Sequence, residues 1–157
     1  MVSTMTTRAH KGRGAVSAPL GRFEQRPVEL DPAAAHERAE QAPQTTLRAM
    51  QAGQIISSNS SPDVPFDRSI NPYQGCEHGC VYCYARPSHS YLDLSPGLDF
   101  ETQIFYKPNA ATRLLEEWEK TSYECKPITI GANTDPYQPA EKTLEITRQL
   151  LEQFVEY

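Results

Sequence analysis

Apolar positions in the second half of the chain recur at helical and strand spacings. Ala111, Leu114, Leu115 and Trp118 follow the three-and-four spacing of an amphipathic helix, and Asn109 just ahead of them predicts its cap. A second helix is predicted from Glu141 onward, with Leu144, Thr147, Leu151 and Val155 on one face. Shorter apolar stretches between turn residues read as strands. Ser69-Ile70-Asn71 precedes Pro72, which favours extended backbone at Asn71 and leads into the loop that follows. Residues 100–106 alternate and carry Ile104, Phe105 and Tyr106, which predicts a second strand; 127–131, Pro-Ile-Thr-Ile-Gly, predicts a third.

Strand, loop, strand, helix, strand, loop, helix is an α/β order, and it implies a parallel sheet or barrel. Chemistry in such folds gathers at the C-terminal ends of strands. Two loops follow predicted strands here: the one after Asn71, and Asn133-Thr134-Asp135-Pro136-Tyr137-Gln138-Pro139.

The first part of the chain offers no periodicity. Residues 1–30 are polar and predict irregular or extended backbone. Asp31-Pro32 predicts the start of a short Ala-rich helix over 33–41, which Pro43 ends. Ser57-Ser58-Asn59-Ser60-Ser61-Pro62-Asp63 is a turn cluster. The expected organisation is an irregular extension over 1–55 and a core domain over 56–157.

Composition adds limits. At 157 residues the chain has room for one ordinary domain, and its 13 prolines and 8 glycines favour much irregular structure. A net charge of −5 gives no general attraction to nucleic acid or anionic membrane. Arg8, Lys11, Arg13, Arg22 and Arg26 stand against Glu24 alone, and form either a basic arm or a solvated tail. No signal-peptide core and no run of 18 apolar residues is present, so a reducing, cytoplasmic setting without a membrane partner is expected. Clustered thiols in that setting more often bind metal than form disulfides.

Cys76, Cys80 and Cys83 are such a cluster, within Gly75-Cys76-Glu77-His78-Gly79-Cys80-Val81-Tyr82-Cys83-Tyr84. Soft thiolates select iron–sulfur clusters or zinc. Gly75 and Gly79 allow the tight backbone that a bulky inorganic core needs. Three thiolates hold three corners of an iron–sulfur cube and leave the fourth iron open. A zinc site completed by His78 or His89, a redox pair of Cys80 and Cys83, and inert packing are the alternatives. Both histidines read more readily as hydrogen-bonding loop residues. Cys125 stands alone and reads as a small buried apolar residue.

The spacing at 76–84, with Tyr82 before the last thiol, resembles the cluster-binding loop of the radical S-adenosylmethionine superfamily. Further stretches resemble its branch related to spore photoproduct lyase, the DNA-repair-photolyase-like proteins. These are 13–23, 61–70, Ala85-Arg86-Pro87-Ser88-His89 and Thr134-Asp135-Pro136-Tyr137-Gln138-Pro139. The likeness covers most of the chain from about residue 11. It implies a partial (β/α)6 TIM-like barrel, a 4Fe–4S cluster on Cys76, Cys80 and Cys83, and S-adenosylmethionine as cofactor. By the same resemblance Tyr82 lies near the adenine, and Thr134 and Asp135 beside the methionine portion. Thr134 and Asp135 also suit a plain turn, since Asp-Pro steps with a capping hydroxyl need no ligand.

The implied reaction is reductive cleavage of S-adenosylmethionine to a 5′-deoxyadenosyl radical, fed by an external electron donor and directed at a nucleic acid, as in DNA repair. Spore photoproduct lyase carries a hydrogen-returning cysteine near this Thr-Asp pair, and Gly131-Ala132-Asn133 has none. Each βα unit takes roughly 30 residues, so the stretch after Cys76 holds about three of the six. The resemblance therefore implies an N-terminal portion of the barrel.

Overall fold

The computed structural model describes residues 12–19 and 43–157. The fold is mixed α/β, as the alternation predicts. The short helix expected over 33–41 lies outside the described residues. The strands are β1 (Thr46–Ala49), β2 (Ile56–Ser58), β3 (Arg68–Ile70), β4 (Tyr73–Gln74), β5 (Gln103–Tyr106) and β6 (Thr129–Ile130). The helices are α1 (Leu98–Thr102), α2 (Ala110–Trp118), α3 (Glu141–Leu144) and α4 (Ile146–Glu156), with a 3-10 helix at Arg86–Leu92. Strand β1 forms within the stretch expected to be irregular.

The chain divides into two compact units. One joins the described residues up to Thr46 with Gly75–Gln103; the other joins Leu47–Gln74 with Ile104–Tyr157.

The second unit carries the sheets. β2 pairs antiparallel with β3, Ile56 opposite Ile70, and β3 pairs parallel with β6, Ile70 opposite Ile130. A separate sheet runs in the order β1-β5-β4, with Tyr73 opposite Tyr106. Its core gathers Ile55, Ile70, Tyr73, Ile104, Leu114, Trp118, Ile146 and Leu150. Helices α2 and α4 meet through aromatic rings. Trp118 lies edge-on to Phe154 at 5.0 Å between centroids, and Tyr157 lies tilted over it at 4.4 Å.

Buried polar groups fix the strand ends. The Glu117 carboxylate accepts the N–H groups of Ile55 and Ile56, at 2.5 and 3.3 Å. The half-buried Lys107 ammonium donates to the Asn71 carbonyl at 2.8 Å, and desolvation lowers its pKa from the usual lysine value.

Five local expectations change. The predicted strand over 100–106 is helical at its start: α1 includes Phe100 and Glu101, both buried, and β5 begins only at Gln103. Thr102 closes that turn by donating its hydroxyl to the Leu98 carbonyl. Asn109 does not cap α2 through its side chain. Its amide instead pairs with the backbone of Ala52, accepting at 2.9 Å and donating at 3.0 Å. The buried face of α2 is accordingly Ala110, Leu114, Glu117 and Trp118, while Leu115 is exposed.

The helix predicted from Glu141 breaks at Glu145, whose φ of 51° is left-handed. That kink turns the face, so Ile146, Thr147 and Leu150 are buried, and Leu151 and Val155 are exposed. Cys125, expected inside, is exposed.

Candidate metal centre

Strand β4 delivers the chain to the cysteine loop, so a short strand intervenes between β3 and the thiols. Gly75 has a φ of 84°, and a Cβ there would lie 2.9 Å from His89 Cε1 and from the Phe100 carbonyl oxygen. A side chain at this position would therefore lift the loop from its base. The Cys76 N–H donates to the Phe100 carbonyl at 2.9 Å. Cys76, Ala85 and Phe100 form the small core of the first unit, with Cys83 packed against it.

His89 closes this core. Its ring meets Phe100 edge-on at 5.2 Å, and Nε2 lies 2.9 Å from the Gln103 carbonyl, which can only accept. Burial pushes the imidazole pKa below 6.5, and the bond to Gln103 only partly opposes that shift. His89 thus forms a hydrogen bond, as expected of it, but from a fully buried place in the 3-10 helix rather than from a loop. His78 is exposed within the loop.

The three thiols differ in exposure. Cys76 is buried, Cys83 is intermediate and Cys80 is exposed; none is in a disulfide. Gly79, with a φ of 64°, turns the chain between Cys76 and Cys80. The Cys83 N–H donates back to the Cys80 carbonyl at 3.3 Å, which closes a tight turn around the last two cysteines. Tyr82 is 86% exposed on that turn.

Arg86 braces the turn from below. It donates to the Cys80 carbonyl from Nε at 3.1 Å and Nη2 at 2.9 Å, and pairs with the fully buried Glu101. Neither residue was given a role from sequence. Glu101 lay inside a stretch that read as strand, and no periodic signal marks a single buried charge.

The donor set fits a thiolate-bound metal group by its chemistry: soft sulfur ligands, none consumed by a disulfide, on a loop with two left-handed glycines. Among the described residues, no three His, Cys, Asp or Glu side chains are arranged to hold a metal ion.

Thr134 and Asp135 belong to the second unit. They follow β6, the parallel neighbour of β3. The loop is tied to the segment after β3: Asn133 N–H donates to Asn71 Oδ1 at 2.7 Å, and the buried Thr134 hydroxyl donates to the Tyr73 carbonyl at 3.0 Å. Asp135 is exposed and accepts the Tyr137 N–H at 2.8 Å, forming an Asx turn. Arg13, one of the basic residues expected in an arm or a solvated tail, is instead half-buried. It donates to the Glu101 carbonyl and to Thr45 Oγ1, both at 2.7 Å.

Among the described residues, no helix is long and apolar enough to cross a membrane. No protein-family model matches the chain, and no solved structure matches it. It is similar to an uncharacterized protein of Mycobacterium bovis and to uncharacterized proteins of two strains of Mycobacterium tuberculosis. Each is 49% identical over 78 residues, which is 50% of this chain and 23% of the relative. The match thus spans less than a quarter of the length of these relatives.

Proposed function

We propose that the chain is part of a radical S-adenosylmethionine iron–sulfur protein, with Cys76, Cys80 and Cys83 as ligands of a 4Fe–4S cluster. The observation that carries this reading is the placement of three cysteines within eight residues, none in a disulfide, on a loop turned by Gly75 and Gly79. Bound there, the cluster would supply the electron for reductive cleavage of S-adenosylmethionine, replenished by an external donor. The buried Cys76 anchors the loop to its base, and the turn that follows leaves Cys80 exposed and Cys83 half-buried. Exposed Tyr82 offers a flat ring to the adenine, and Thr134 and Asp135 are assigned to the methionine portion.

The parallel pairing of β3 with β6 supports the finer fold reading, an N-terminal part of a (β/α)6 barrel. A nucleic-acid substrate, and DNA repair as the setting, follow from the branch that the sequence resembles.

Anaerobic reconstitution with iron and sulfide tests the reading. The expected product is brown, with broad absorption and a reduced-state electron paramagnetic signal that changes when S-adenosylmethionine is added. A colourless protein with one zinc per chain overturns it. Zinc is the second reading, and the exposure of His78 between Cys76 and Cys80 favours it as a fourth ligand.

A further inference from the structure

Residues 12–19 precede every described strand and helix, yet they lie against the cysteine loop. The contact is backbone on backbone. A Cβ on Gly14 would fall 1.8 Å from the Gly79 carbonyl oxygen, and one on Gly79 would fall 2.9 Å from the Gly14 nitrogen. Neither position accepts a side chain unless the two segments part. Farther along, Leu98 N–H donates to the Ser17 carbonyl at 3.1 Å, and the Ser95 hydroxyl donates to the Pro19 carbonyl.

Glu101 fastens this segment. Its side chain is 0% exposed, and its carboxylate accepts the N–H groups of Gly14 at 3.1 Å and Ala15 at 2.8 Å. The same carboxylate pairs with Arg86, which holds the Cys80 carbonyl. Arg13 adds a bond to the Glu101 carbonyl, and Thr45, which also receives Arg13, donates to Glu77 in the loop. A buried carboxylate is tolerated only while its donors stay in place. Segment 12–19 supplies two of those donors, and Arg86 supplies another.

We propose that residues 12–19 form a strap that positions the cysteine loop. Glu101 fastens the strap, Gly14 and Gly79 seat it, and Arg86 carries the constraint to the Cys80 backbone. The purpose of the strap rests on the cluster reading, because a loop that must place three thiolates needs a rigid support. Its existence as a positioning element does not.

The two are separated by site-resolved alkylation of the metal-free protein, read by mass spectrometry, with iron uptake measured alongside. In the parent, Cys76 reacts slowly and the exposed Cys125 rapidly. Glu101→Ala is expected to raise the Cys76 rate about tenfold, the scale set by loss of a charge-assisted hydrogen bond, with Cys125 unchanged. Gly14→Ala removes no charge and buries no new polar group; it is expected to raise the Cys76 rate in the same way and to lower the iron bound per chain. If Glu101→Ala does not fold, Gly14→Ala decides. A Cys76 rate in Gly14→Ala equal to the parent rate overturns the strap. A parent that takes up no iron, while Gly14→Ala unmasks Cys76, supports the strap and overturns the cluster reading.

Discussion

The Tyr73 hydroxyl donates to the Glu141 carboxylate, and that carboxylate also accepts the N–H groups of Thr147 and Arg148, each at 3.0 Å. One acidic side chain therefore joins a buried strand residue to the first turn of α4. Helix N-termini carry unsatisfied N–H groups and a partial positive charge, so an anion there is favoured. Glu141→Gln is expected to cost about 1–3 kcal/mol in urea unfolding, because a charge-assisted acceptor for three donors is weakened.

The same pair sets a behaviour at high pH. Burial first, and then the bond and charge of Glu141, raise the Tyr73 pKa far above the usual phenol value of 10.0. A group with a raised folded pKa gives its full stabilisation below the unfolded value and loses it as pH rises beyond. Stability should therefore fall with rising pH above 10.0, and Tyr73→Phe should flatten that slope. Denaturant midpoints measured across the alkaline range check this.

His89 gives the acid counterpart in the first unit. Burial lowers its pKa below 6.5, so the unfolded chain takes up its proton first as pH falls. The contribution is complete above 6.5 and is lost between 6.5 and the lower folded value. His89→Gln keeps a donor for the Gln103 carbonyl and should remove that pH dependence. Protection of Cys76 from alkylation, followed against pH in both proteins, measures it.

Single substitutions separate the cysteines by role. Cys76→Ala, Cys80→Ala and Cys83→Ala should each abolish stable uptake of iron and sulfide, since a cluster held by three thiolates does not survive on two. Cys125→Ala should leave the iron content of the parent, because Cys125 belongs to the second unit. Iron and acid-labile sulfide assays on the four variants are the measurement.

Glu117 makes a prediction that no sequence pattern announced. Its carboxylate serves two backbone N–H groups from a nearly dry position, so Glu117→Ala should destabilise the second unit by about 1–3 kcal/mol. A thermal or urea melt of the variant reads that loss.

Legibility followed the range of the interactions. Strand β3, helix α2 and strand β6 were found because apolar spacing and the flanking prolines are local signals. The cysteine loop stands out in the sequence because three thiols fall within eight residues, a purely local feature. Helix α1 was missed because alternation over 100–106 resembles a strand, whereas the buried carboxylate of Glu101 recruits donors far along the chain. Asn109 looked like a cap and instead binds Ala52, a partner that only the folded chain brings near. The break at Glu145 was hidden for a similar reason. Its left-handed backbone lets Glu141 reach the N–H groups of Thr147 and Arg148, and no glycine or proline marks the spot.

Trp118 is the sole tryptophan of the chain, and its ring is wedged among Phe154 and Tyr157 in the second unit. Indole emission therefore watches the α2–α4 contact and is blind to opening of the thiol-bearing segment. An unfolding curve recorded by fluorescence alone would describe half of the molecule, and a second probe attached at Cys80, with Cys125 replaced, is needed to see the other half.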